Sequence, residues 1–267
     1  MVLNKTLLMC KPDYFEVSYE INPWMHDNIG KVDQAKASLQ WQHLHDTLAA
    51  RANIKLITAQ PGLPDMVFTA NAGLVHKQTV IVSTFRHVQR HGESAHYDAF
   101  FRHEGYVIKS LQSGTTFEGA GDALFDGSGR LWLGSGPRSD VCAHSEIAQA
   151  LEIAIHAVHL VNPRWYHLDT AFCPLSAGYA LAYEKAFSPE SIALIRQQFG
   201  DKAIWISDED AHNFACNAVC LDHDIVLYRA SPALQNALQQ CGFNVIETDV
   251  SEFIKSGGSC KCMTLEI

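Results

Sequence analysis

The chain is 267 residues long, 47% hydrophobic, and carries a formal charge of −9 at neutral pH. That length is enough for one domain with a full-sized core, and the acidic balance gives no electrostatic ground for binding nucleic acid or an acidic membrane, while it suits small cations. No uninterrupted apolar run approaches the ~18 residues of a membrane span, and Met1–Cys10 lacks the charged start, long apolar stretch and cleavage site of a leader, so a single domain over 1–267 in the cytoplasm is expected.

In chain order, an amphipathic helix is expected over 33–51. A hairpin-like run follows at 65–83, then a helix at 94–103 and a strand at 105–109. The next hairpin falls at 116–134 and the next helix at 144–158. A third hairpin, 166–184, leads into the most clearly signalled helix, 188–199, where Ser188 reads as N-cap, Pro189 as the first helical residue, Glu190 as a first-turn acid and Gly200 as the stop. A fourth hairpin at 212–229, a helix at 231–240, a strand at 242–247 and a short run at 258–267 complete the chain. The unit recurs at roughly 45–50 residues, which implies stacked or radial repetition of one α/β module. In a radial arrangement the first strands of the hairpins converge on a central channel, so positions near 22, 65, 118, 167 and 262 meet at one mouth.

Residues able to carry chemistry cluster in a few of these segments. In SGGSCKCMTLEI (256–267) two glycines let the backbone approach a ligand, and Cys260 and Cys262 follow at a spacing of two, which on a strand turns both thiols to one face. A nucleophilic thiol, a redox pair and two inert cysteines are all open readings; structural zinc is disfavoured because the chain has neither a CxxC pair nor HExxH. The remaining cysteines (10, 142, 173, 216, 220 and 241) show no small-domain disulfide framework and are expected to be reduced and mostly structural. His167 and Asp169 would likewise share a strand face. Glu118 stands between Phe117 and Gly119, in a small and apolar stretch where a charge needs a partner or caps a turn.

Taken together, Asp65–Asn71, EGAGD (118–122), HLD (167–169) and GGSCKCM (257–263) resemble, in order and spacing, four motifs of the guanidino-group-modifying, or amidinotransferase, superfamily. The nearest likeness is to its arginine dihydrolase and dimethylarginine dimethylaminohydrolase branches. The resemblance implies an α/β fold, the five-bladed pseudo-symmetric α/β propeller or pentein. It makes Cys262, at the family's distance from the glycine pair and followed by Met263, the nucleophile in place of Cys260. His167 becomes the acid/base and Glu118 its neighbour. The implied substrate-binding set is Asn22, Asp65, Phe68, Asn71, Arg90, Arg138 and Asp169, with Asp65 and Asp169 on the guanidinium nitrogens and Arg90 and Arg138 on an α-carboxylate, which the planar arginine fork suits.

One departure is informative. Where deiminases and dimethylarginine hydrolases of the superfamily have a guanidinium-pairing aspartate, this chain has Asn71, an uncharged donor and acceptor. Asn71 and Asn22 resemble the arginine dihydrolase branch, which takes arginine past citrulline to ornithine. The alternatives are a dimethylarginine hydrolase or deiminase that stops at citrulline, and a propeller that binds an amino acid without turning it over. The family chemistry calls for no metal and no organic cofactor, and the implied partner is a small guanidino substrate, arginine or methylated arginine.

Overall fold

The computed structural model describes residues 5–267, so residues 1–4 of the Met1–Cys10 stretch lie outside the described residues. In chain order the regular elements are β1 (Thr6–Cys10), α1 (Gln34–Ala49), β2 (Asn53–Ile57), β3 (Gly73–His76), β4 (Thr79–Val82), α2 (Glu93–His103), β5 (Val107–Lys109), β6 (Ala123–Phe125), β7 (Leu131–Ser135), α3 (Ala143–Leu151) and β8 (Ile155–His159). They continue with β9 (Phe172–Pro174), β10 (Ala180–Ala182), α4 (Pro189–Phe199), β11 (Ala203–Trp205), α5 (Asp208–His212), β12 (Val219–Leu221), β13 (Asp224–Leu227), α6 (Pro232–Gln240), β14 (Asn244–Glu247), α7 (Ser251–Ile254) and β15 (Leu265–Glu266).

The strands form five three-stranded sheets. In four of them a tight hairpin is followed by a helix that carries the chain back to add a third strand parallel to the second: β3-β4-β5, β6-β7-β8, β9-β10-β11 and β12-β13-β14. The fifth, β15-β1-β2, joins distant parts of the chain: β1 pairs antiparallel with β15, Leu8 opposite Leu265, and parallel with β2. The result is the five-bladed pseudo-symmetric α/β propeller.

Helix starts follow local chemistry. Side chains of Asp33, Ser188, Ser207 and Ser231 each accept a backbone N–H three residues on, and Pro189 and Pro232 open α4 and α6. The helix expected at 144–158 is cut short, to the nine residues Ala143–Leu151. α3 stops at Leu151, Glu152 takes the left-handed conformation (φ 56°), and Ile155–His159 is β8 in register with β7. The β-branched Ile153, Ile155 and Val158 favour that extended pairing over another helical turn. The strand placements of 166–170 and 258–263 also give way: His167 is extended but enters a 3₁₀ turn, Leu168–Thr170, and strand pairing in the last segment begins only at Leu265. The same-face arguments for His167 with Asp169 and for Cys260 with Cys262 therefore lapse, and turns aim these side chains instead.

Four inner strands are entered through one pattern, a buried polar residue and then alanine: Asn71-Ala72, Asp122-Ala123, Thr170-Ala171 and Asn217-Ala218. Alanine lets the turns crowd near the axis, and most of the polar side chains satisfy backbone of another blade's turn. Asn71 donates to the Glu118 carbonyl, Asp122 accepts from Leu168 N, and Asn217 donates to the Asp169 carbonyl. All eight cysteines are free thiols. Among the described residues no helix is long and apolar enough to cross a membrane.

Candidate active site

These pre-strand turns build a buried charge network. Glu118, wholly inaccessible, brings Oε2 to 2.7 Å from His167 Nε2 and 2.8 Å from Arg138 Nη1, while its Oε1 accepts from Arg86 N at 3.1 Å. Burial alone would raise this carboxyl, but Arg138 and then His167 outweigh it and hold it well below the usual carboxylate range. A charged Glu118 keeps the imidazole proton on Nε2 and leaves the buried Nδ1, which has no hydrogen bond, as the ring nitrogen available to accept or donate. Asp122 ties the turns together: Oδ1 accepts from Leu168 N at 2.9 Å and Oδ2 from Ser139 Oγ at 2.6 Å, and that hydroxyl in turn accepts from Glu118 N at 3.0 Å. Burial pushes Asp122 up to about 6.

Asn71 is pinned at both ends of its amide. Oδ1 accepts from Arg90 Nη1 and Nδ2 donates to the Glu118 carbonyl, each at 2.9 Å. Arg90 is held by Glu93 through Nε and Nη2, both at 2.8 Å, and its Nη2 also reaches the Asp65 carbonyl at 3.3 Å. The Asp65 carboxylate accepts from the Tyr19 hydroxyl at 2.8 Å and from Ser256 Oγ at 3.3 Å. Arg138, besides Glu118, donates to the Ile21 carbonyl at 3.0 Å and lies over the Tyr166 ring.

The Cys262 sulfur sits 3.4 Å from Asp169 Oδ2 and 3.1 Å from Asn217 Nδ2. Burial first, and Asp169 second, push this thiol well above its ordinary value, so it is neutral in this setting. Burial also pushes Asp169 up to about 7 against the pull of Lys261, and its Oδ1 has no partner. Cys260 is buried with only a long contact from Ser259 Oγ. The glycine pair sets how closely this loop packs. Gly257 has φ +86° and a side chain there would press within 2.8 Å of Asn22 Oδ1, while a Cβ on Gly258 would overlap the Phe68 ring. Asn22 itself donates to the Ser256 carbonyl at 3.0 Å and accepts from Trp24 N at 2.9 Å.

One small buried cavity is lined by Asn22, Asp65, Phe68, Asn71, Arg90, Arg138 and Cys262. Glu118, His167 and Asp169 stand behind that lining, bonded to Arg138, Glu118 and Cys262 respectively. A larger cavity of about 660 Å³ opens at the far ends of the same inner strands, among Lys77, Phe125 and Asp222, and holds none of these residues. Convergent polar groups, and not size, single out the smaller one. Sequence alone assigned no site role to Asn217, Asp122, Ser139, Glu93 or Tyr19, although Asp122 closes the EGAGD motif. Asn217 and Asp122 share the polar-alanine pattern of Asn71, a signal that could have found them; Tyr19 carries no such mark.

A family model described as N,N dimethylarginine dimethylhydrolase, eukaryotic, matches residues 11–267. The bifunctional arginine dihydrolase/ornithine cyclodeaminase ArgZ of Synechocystis sp. is 45% identical over 263 residues, 98% of this chain and 37% of that protein. The chain thus spans well under half the length of the bifunctional relatives it matches. The N(G),N(G)-dimethylarginine dimethylaminohydrolase of Mycobacterium tuberculosis is 40% identical over 260 residues, 97% of this chain and 84% of that protein. Among solved structures, the N-terminal domain of ArgZ, as a Cys-to-Ser variant bound to substrate, aligns with a TM-score of 0.97 at 44% identity over 98% of each chain. An Asn-to-Ser variant of the same domain, covalently bonded to a reaction intermediate, aligns with a TM-score of 0.97 at 44% identity over 98% of this chain and 97% of that one.

Proposed function

The chain belongs to the N,N-dimethylarginine dimethylhydrolase family, within the amidinotransferase superfamily, and on that footing we propose that it is a hydrolase of guanidino C–N bonds, an arginine dihydrolase that takes arginine through citrulline to ornithine, two ammonia and carbon dioxide. The observation that carries this reading is the pinned amide of Asn71 in the cavity that also holds Cys262. With one lone pair of Oδ1 given to Arg90 and one Nδ2 hydrogen given to Glu118, the amide still offers one acceptor and one donor without rotating. It can meet a guanidinium N–H and, after the first hydrolysis, a ureido oxygen. A carboxylate here would bind the cation more strongly and repel the ureido oxygen.

The remaining roles follow from chemistry and position. Cys262 attacks the guanidinium carbon, its proton passing to the raised Asp169 carboxylate. His167, entering with a proton on each ring nitrogen beside the Glu118 carboxylate, gives the Nδ1 proton to the departing ammonia and then takes one from water, which displaces the sulfur and leaves citrulline, Asp169 returning its proton to the thiolate. A second attack expels the second ammonia, and hydrolysis of that adduct frees the thiol and a carbamate that loses carbon dioxide. Asp65 pairs the substrate's guanidinium. Arg138, with fewer of its N–H groups committed than Arg90, grips the α-carboxylate, and Arg90 fixes Asn71. The site draws on all five blades, so 1–267 acts as one catalytic domain, which we place in the cytoplasm.

A second reading, hydrolysis of dimethylarginine to citrulline, is supported by the family model and the mycobacterial relative. Arginine labelled at the guanidino carbon separates the two. The dihydrolase releases the label as carbon dioxide; label retained in citrulline, or faster release of dimethylamine from dimethylarginine, overturns it. Cys262→Ser abolishes turnover in the same assay while Cys260→Ser leaves most of it, and equal loss in both contradicts the nucleophile.

A further inference from the structure

The loop before β12 makes contacts that the mechanism above does not use. Asn217 is wholly buried, and its side chain spends every strong bond on the nucleophile's surroundings. Oδ1 accepts from Cys262 N at 3.0 Å, and Nδ2 donates to Cys262 Sγ and to the Asp169 carbonyl, each at 3.1 Å. The Asn217 carbonyl also accepts from Lys261 N at 3.2 Å, and its own N–H donates to the Phe214 carbonyl at 2.8 Å. Phe214 is a buried aromatic residue in the left-handed conformation (φ 54°), a costly setting for a bulky side chain that persists only where surrounding structure imposes it. Its ring packs 4.4 Å from Trp24, in the segment whose Ile21 carbonyl meets Arg138.

We propose that Asn217 is the positioning residue for the nucleophile, fixing the Cys262 sulfur through an N–H donated to it and the cysteine backbone through its oxygen. The proposal rests on the reading of Cys262 as nucleophile. An amide donor serves sulfur at each stage: it orients the neutral thiol, strengthens as sulfur becomes a thiolate because the acceptor is then charged, and steadies the sulfur again when the adduct collapses and expels it. In a dihydrolase that departure happens twice for each arginine. The ionisable groups around the sulfur are Asp169 from the turn before β9, whose Oδ2 accepts from the thiol at 3.4 Å, and the Tyr166 phenol, with Lys261 on the cysteine's own loop acting on Asp169; Asn217 is the uncharged side chain that donates to the sulfur whatever the protonation of Asp169.

Asn217→Asp keeps the shape and the acceptor for Cys262 N but turns a carboxylate toward the sulfur. The test is the rate of iodoacetamide alkylation of Cys262, followed by peptide mass spectrometry from pH 5 to 9, with circular dichroism confirming the fold. The expected result is a fall of about 10- to 100-fold at pH 8, the size of a lost charge-assisted bond. The gap narrows at low pH, where a protonated carboxyl donates as the amide does, and kcat falls more than KM rises. Asn217→Thr is the second variant, since Thr170 fills the corresponding place in another blade; its shorter side chain also slows alkylation at every pH. Rates within twofold of wild type in either folded variant overturn the proposal. Failure of the nucleophile reading looks different, as wild-type protein alkylated at Cys262 that still turns over arginine.

Discussion

Arg90 gives three of its nitrogens to Glu93, Asn71 and the Asp65 carbonyl, whereas Arg138 gives two, to Glu118 and the Ile21 carbonyl. Removing Arg90 leaves Glu93 buried without its countercharge, a loss of about 3–5 kcal/mol for such a pair. Arg90→Gln is therefore expected to lower the urea midpoint sharply; Arg138→Gln, which strips the buried Glu118 of its main countercharge, lowers it too but also raises KM for arginine, and a larger KM effect from Arg90→Gln than from Arg138→Gln would exchange their roles. Asp169 carries a pH signature. Its carboxyl moves from an ordinary 3.8 to about 7 on folding, so the folded state holds the extra proton and stability from this group is greatest below about pH 4 and declines as pH rises through 7. Asp169→Asn removes that decline: urea midpoints should exceed wild type at pH 8, and not at pH 4, with turnover lost. A variant no more stable than wild type at pH 8 contradicts the assignment. Residue position was legible in the sequence where a motif marked it: Cys262 lines the cavity, and Glu118 and His167 stand behind it. It was not legible where a fold contact decides it: nothing local shows that Asp169 faces the thiol or that Arg90 is saturated by Glu93.

Turns, more than strands, set the site. The loop 256–263 reaches Phe68, Asn22 and Tyr166 only because positions 257 and 258 have no side chains. Gly258→Ala must displace the buried Phe68 ring, at a cost of about 1–3 kcal/mol for overpacking, and it should raise KM along with the stability loss; unchanged kinetics would place Phe68 outside the substrate's reach. Helix starts were readable because capping is local, and α4 spans Pro189–Phe199 from its Ser188 cap. Ser188→Ala is expected to cost about 1 kcal/mol, read as a shifted denaturant midpoint with kcat unchanged. The overlong helix at 144–158 shows the limit. Periodicity alone does not separate a helix tail from the short apolar strand β8, whose identity depends on its partner β7.

At the scale of the whole molecule, repetition was visible because each hairpin and helix is local, and the blade β15-β1-β2 was not, since its strands are separated by almost the length of the chain. The radial arrangement does what no single blade could. Asn22, Asn71, Glu118, His167, Asn217 and Cys262 come from separate turns, yet Asn22, Asn71 and Cys262 line a single cavity, Glu118 is bonded to Asn71 and His167 behind it, and Asn217 is bonded to Cys262. If one such cavity carries out two successive hydrolyses, the ratio of ammonia to ornithine reveals it. With arginine as sole substrate, wild-type protein should give two ammonia per ornithine with little free citrulline, and Asn71→Asp should shift the product toward citrulline with one ammonia each. Citrulline as the end product of the wild-type protein, at one ammonia per arginine consumed, would contradict the account.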